Sequence, residues 1–150
     1  MSKKSIFAFA CIVALSACNN SKLTPNEQMR QKADGVMAAI MQQHDDDVYA
    51  SLATPVKQAF SKAESIAPLA KARTNYGEIS AYQLKNISPG VRYARASRME
   101  MVRYWYATTN KLCPFACFTQ IDITLENGVP NVAGFEQVRF ADDHIPVELL

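Results

Sequence analysis

The stretch FTQIDITLENG, residues 118–128, alternates between two classes of side chain. Thr119, Ile121, Ile123 and Leu125 fall on one side of an extended chain, and Gln120, Asp122 and Thr124 on the other. That period of two is the one a half-buried strand imposes. Asn127-Gly128 then supplies the pair of residues that most readily takes the left-handed conformation of a tight hairpin turn. A strand, a turn and a returning strand are predicted. Pro130 is expected to delay the pairing, which puts the returning strand at Val132 to Phe140.

Working upstream, the same period appears from Ile79 to Ile87, bounded by Asn86 and the turn signal Ser88-Pro89-Gly90. Residues 91–109 carry two patterns. Arg92, Arg95 and Arg98 fall on helical spacing, while Val102, Tyr104 and Tyr106 alternate with Arg103 and Trp105 as a strand does. Aromatic and β-branched content favours the strand. Met99 and Met101 lie on one face and Val102, Tyr104 and Tyr106 on the other, so the buried face is expected to switch near Met101 through a bulge.

Helical signals fill the half before Gly77. Thr24-Pro25-Asn26-Glu27 combines an N-cap hydroxyl, a proline at the first helical position and a glutamate placed for a capping box. Behind it Met29, Ala33, Val36, Met37, Ile40, Met41 and His44 recur at three- and four-residue steps. Asp45-Asp46-Asp47 sits where a helix C-terminus repels negative charge, so the helix should end there and a new turn be capped by Asp46 or Asp47. Thr54-Pro55 repeats the start signal. The stripe Val56, Ala59, Phe60, Ala63, Ile66 and Ala67 marks a second helix, which Pro68 disturbs and Gly77 closes.

Two or three N-terminal helices followed by about four antiparallel strands make an α+β domain, residues 24–150, with the helices packed on one face of the sheet. In element order this layout resembles the cystatin-like and nuclear-transport-factor-like folds of small bacterial lipoproteins. That resemblance implies a conical domain with a pocket between sheet and helices, on a fold that hosts enzymes, binding modules and assembly subunits alike.

The first residues, MSKKSIFAFACIVALSACNN, place Lys3 and Lys4 before an apolar run from Ile6 to Leu15. The run is too short for a permanent span and reads as a secretory signal. Leu15-Ser16-Ala17-Cys18 resembles the lipobox of bacterial lipoproteins. The resemblance implies that residues 1–17 are removed, that Cys18 is lipidated, and that residues 18–23 tether the domain to a membrane. Asn19 is not the aspartate associated with inner-membrane retention, which points to the outer membrane facing the periplasm. The alternative is an ordinary signal peptide with Cys18 incidental.

Sixteen basic residues face fourteen acidic ones in the whole chain; loss of Lys3 and Lys4 leaves fourteen against fourteen. A neutral exported protein is a poor match for nucleic acid. Residues 57–111 hold ten Lys or Arg against three Glu, and residues 113–150 hold Arg139 against six acids. The two halves are expected to neutralise each other across a solvated surface.

Export also decides KLCPFACF, residues 111–118, because paired thiols close in an oxidising compartment. Cys113 and Cys117 are expected to form a disulfide at the base of a hairpin loop running from Leu112 to Phe118. The C-x-x-x-C spacing and the strand that follows, with no helix N-terminus, argue against redox catalysis. Zinc needs four ligands, and His44 and His144 lie far from the cysteines. His44 to Asp47 and Asp142-Asp143-His144 read as a helix end and an acidic tail rather than cation sites. No nucleophile motif such as G-x-S-x-G is present, and no cofactor is implied.

These observations favour a non-enzymatic envelope lipoprotein that binds a protein partner in an inhibitor, immunity or assembly role. A small-ligand binder or enzyme using the fold's pocket stands as the competing reading. The expected partner surface is the tip Pro114-Phe115-Ala116 with basic side chains of the preceding strand. There, Arg95 and Arg103 share one face and Arg92 and Arg98 the other. Phe115 either anchors the partner or folds back to cap the core.

Overall fold

A computed structural model describes residues 23–141 and 145–149. The capping box at Thr24 forms as its sequence predicts. The Thr24 hydroxyl accepts from the Glu27 amide, the Glu27 carboxylate accepts from the Thr24 amide, and Pro25 opens helix α1, Pro25–Met41. Met29, Ala33, Val36, Met37 and Ile40 form its buried stripe. His44 does not continue that stripe: it is exposed and caps a new helix, α2, Asp45–Ala50. The three aspartates therefore form the first turn of α2, where the helix dipole favours negative charge, rather than caps between helices.

The second predicted helix is two helices. Helix α3, Thr54–Ala59, stops at Phe60, and α4, Lys62–Tyr76, begins from a second capping box in which Ser61 and Glu64 exchange hydrogen bonds. The predicted stripe breaks accordingly, with Ala63 and Ala67 exposed and Leu69 and Ala72 buried instead. Pro68 is accommodated inside α4, and Gly77 closes it at φ 79°.

Four strands follow, β1 Ile79–Ala94, β2 Ser97–Asn110, β3 Cys113–Glu126 and β4 Val129–Arg139, in the order β1-β2-β3-β4 with every pairing antiparallel. The fold is α+β, a helical half followed by an antiparallel meander. Asn127-Gly128 makes the predicted turn, with φ 53° and 80°. Pairing resumes at once, however, because Pro130 lies on an edge strand where a missing amide costs no ladder bond. For the same reason Ser88-Pro89-Gly90 is not a turn. Edge strand β1 runs straight through it, Pro89 opposite Val102, and the chain reverses at Arg95-Ala96 with Arg95 at φ 52°. The register is continuous past Met101, so no bulge forms there; the β1–β2 irregularities fall at Ile79/Ala81 and Leu84/Asn86.

Helix α1 packs across the sheet, most extensively on β3. It meets the face that carries Tyr104, Tyr106, Ile121 and Ile123, all buried. The Tyr106 hydroxyl donates to the Asp34 carboxylate of α1 at 2.7 Å; burial, reinforced by that bond, pushes the phenol well above its usual pKa. The opposite face of β3 is buried too, since Phe118, Gln120, Asp122 and Thr124 are nearly inaccessible. Met99 and Met101 are buried on this second face, which is why both parities of β2 read as core.

The second face is closed by curling of the sheet. Arg92 of β1 lies against Gly134 of β4, although a flat sheet would hold these edge strands three spacings apart, roughly 14 Å. The Arg95 guanidinium at the β1–β2 turn sits 6.0 Å from the Phe60 ring, so the hairpin reaches the α3–α4 junction. Register shifts in all three strand pairs supply the extra twist that such curvature needs. Among the described residues no helix is long and apolar enough to cross a membrane.

Candidate functional site

Cys113 and Cys117 are joined as a disulfide. The bond does not close a hairpin loop; both cysteines lie within β3, after the Lys111-Leu112 turn. Asn110 pairs with Cys113 and Thr108 with Cys117, so Pro114, Phe115 and Ala116 form an extrusion from the strand opposite the single residue Thr109. Ala116 takes φ 59°, a left-handed conformation uncommon for a residue with a side chain, and the disulfide holds both ends of the extruded segment. Phe115 is 79% exposed and does not fold back onto the core. Leu112, at the neighbouring turn, is 60% exposed. Two large apolar side chains thus project from one stapled end of the sheet.

The basic residues expected beside Phe115 are elsewhere. Arg95 turns the β1–β2 hairpin at the other end of β2, against Phe60. Arg98 pairs with Glu100 on the surface. Arg103 and Arg92, which a single continuous strand places on opposite faces, converge on one carboxylate, because the hairpin turn at Arg95 separates them onto two strands. Cys18 and the group Asp142-Asp143-His144 lie outside the described residues.

The carboxylate that collects both arginines is Asp122, whose side chain is fully buried. Arg92 Nη1 donates to Oδ2 at 2.6 Å, Arg103 Nε donates to Oδ1 at 3.0 Å, and Gln120 Nε2 reaches both oxygens at 3.0 and 2.9 Å. A buried charge is tolerable only when it is paired and hydrogen-bonded, and here every approach to the carboxylate is occupied. The two arginine side chains are each about one-third exposed, so the cluster is sealed on the Asp122 side and open on the arginine side. Sequence reasoning missed it because Asp122 sits on the polar parity of β3, the side that normally faces water. A Gly at 134 on the paired strand is the available signal: only the missing Cβ lets Arg92 lie across β4.

Two clefts meet at Arg92, between the curled sheet and helices α3 and α4. One, of about 230 Å³, is bounded by Leu52, Val56, Phe60, Ala133 and Phe135. The other, of about 480 Å³, is bounded by Lys71, Asn75, Tyr76, Glu136 and Gln137. Among the described residues no three His, Cys, Asp or Glu side chains lie together as a metal site. Near His44, Asp45 pairs with Arg73, Asp46 with Lys62 and Asp47 with His44. No family model, no curated protein and no solved structure matches this chain.

Proposed function

We propose that the chain is an envelope lipoprotein, anchored through Cys18 and acting as a non-catalytic protein-binding module whose partner seats on the stapled end of the sheet. The observation that carries this reading is the exposure of Phe115, 79%, on a backbone extrusion held by the Cys113–Cys117 disulfide. An aromatic side chain presented on a preordered backbone loses little entropy on binding and is an efficient interface anchor. Leu112 adjoins it, and Lys111 offers a rim charge. Arg103 serves Asp122 and Arg95 serves the far hairpin, so the proposed surface centres on Leu112 and Phe115 without them.

The anchoring half of the proposal rests on the lipobox-like Leu15-Ser16-Ala17-Cys18 and the charged, apolar segment before it. Cys18→Ser is expected to move the protein from the membrane to the soluble fraction, since acyl chains contribute about 0.8 kcal/mol per buried methylene. The binding half is tested by crosslinked capture from the native envelope. Phe115→Ala and Leu112→Ser should each lose the recovered partner at unchanged stability, and Arg95→Glu should keep it. Recovery of the same proteins by all three variants and wild type rejects the stapled end as the interface.

A further inference from the structure

We infer that the two clefts meeting at Arg92 form one binding site for an aliphatic monocarboxylate, its chain in the apolar cleft and its carboxylate at the arginine. The inference does not rest on the partner surface at Leu112 and Phe115, although the polar cleft reaches Tyr76, whose carbonyl accepts from the Leu112 amide. Pro68, Arg92 and Phe135 border both clefts, so the spaces are adjacent and change character at the guanidinium. On one side Leu52, Val56, Phe60 and Ala133 offer apolar walls. On the other, Lys71, Asn75, Tyr76 and Gln137 offer hydrogen-bond donors. Together the volumes fall in the range of small-molecule sites, ~300–1,000 Å³.

Arg92 is built for a second carboxylate. One nitrogen, Nη1, is committed to Asp122, and that bond with the contact on Gly134 fixes the plane of the guanidinium. Among the described residues no hydrogen bond engages Nε or Nη2, the two donors that form a carboxylate-matching fork. Lys71 is in none of the ion pairs found among the described residues. Charge counting selects a monoanion: Arg92 and Lys71 border the polar cleft with Glu136, and behind them Arg103 offsets the buried Asp122, leaving one positive charge at the polar end. Glu64 also borders the apolar cleft as a carboxylate; Ser61 holds it in the capping box of α4 and the nearby Arg95 guanidinium offsets its charge.

The test is calorimetric titration of dodecanoate and dodecanol, below micellar concentration, into the chain from Cys18 to Leu150 carrying Cys18→Ser. That chain contains every described element. Dodecanoate should bind at least tenfold tighter than dodecanol, the discrimination expected of a hydrogen-bonded charge. Arg92→Gln should erase that preference, Lys71→Gln should weaken dodecanoate severalfold, and Ser65→Trp, which fills the apolar cleft from the α4 side, should abolish binding of both. Should Arg92→Gln fail to fold, Lys71→Gln and Ser65→Trp decide. Equal affinity for alcohol and acid, no binding of either, or dodecanoate binding untouched by Lys71→Gln and Ser65→Trp, overturns the inference.

Discussion

Gly134→Ala tests the curled sheet through a sign change. A Cβ built at Gly134 falls 2.3 Å from both Cζ and Nε of Arg92 and 2.8 Å from Nη1, about 1 Å inside ordinary contact. Arg92 must retreat by that much, enough to stretch its 2.6 Å bond to Asp122 beyond hydrogen-bonding range. A hydrogen bond to a charged group contributes about 1.5–3 kcal/mol. Because the Arg92 side chain is one-third exposed and Arg103 and Gln120 remain on Asp122, about 1–2 kcal/mol is the appropriate loss. Gly134 is not among the glycines with positive φ, so alanine otherwise stabilises by ~0.4–1 kcal/mol through the unfolded chain. The net expectation is a destabilisation of roughly 0.5–1.5 kcal/mol, seen as a melting temperature lower by about 2–5 °C in circular dichroism. In an Arg92→Ala background the collision is absent and the same substitution should stabilise. Stabilisation by Gly134→Ala in the wild type, or equal effects in both backgrounds, would refute the contact between the edge strands.

Further outcomes follow from the same geometry. Asp122→Asn leaves two guanidiniums facing a neutral amide and should cost ~2–4 kcal/mol in chemical denaturation, more than Arg98→Ala at the exposed pair with Glu100. The double substitution Cys113→Ser with Cys117→Ser should lower stability by about 2 kcal/mol, the chain-entropy value for so short a loop, without unfolding the domain. Intact mass with and without reductant checks the bond itself. Tyr106 holds its proton more tightly folded than unfolded, so stability is full below the ordinary phenol pKa of about 10 and falls as pH rises above it. Tyr106→Phe should flatten that alkaline decline while losing ~1 kcal/mol at neutral pH with the Asp34 bond. An unchanged alkaline slope would remove Tyr106 as its source.

Local signals that act within one turn were legible. Thr24-Pro25-Asn26-Glu27 and Asn127-Gly128 each carry a complete instruction in adjacent residues, and both formed. Ser61 and Glu64 carry the same instruction as Thr24 and Glu27, but the apolar residues on either side masked the break at Phe60. Ser88-Pro89-Gly90 misled because proline's effect depends on whether its strand has a neighbour on that side, a fact of sheet order. The real reversal at Arg95-Ala96 has neither Gly nor Asn. Disulfide pairing was legible from the spacing and the expectation of export, but the place of Phe115 on a strand extrusion was not. The Asp122 cluster was hidden for a deeper reason. Its members come from three strands: Arg103 meets Asp122 through the β2–β3 register and Gln120 lies two residues from it, but Arg92 reaches in from β1, two strands away.

Site-resolved photocrosslinking in the living envelope tests the partner surface most directly. A photoreactive residue at Phe115 or Leu112 should trap one discrete protein adduct. The same residue at Val147, which is 84% exposed, serves as the control and should trap none. An adduct at Phe115 that persists from Leu112 and is absent from Val147 is the result this account predicts. No adduct at either stapled position, or the same adduct from Val147, would contradict it.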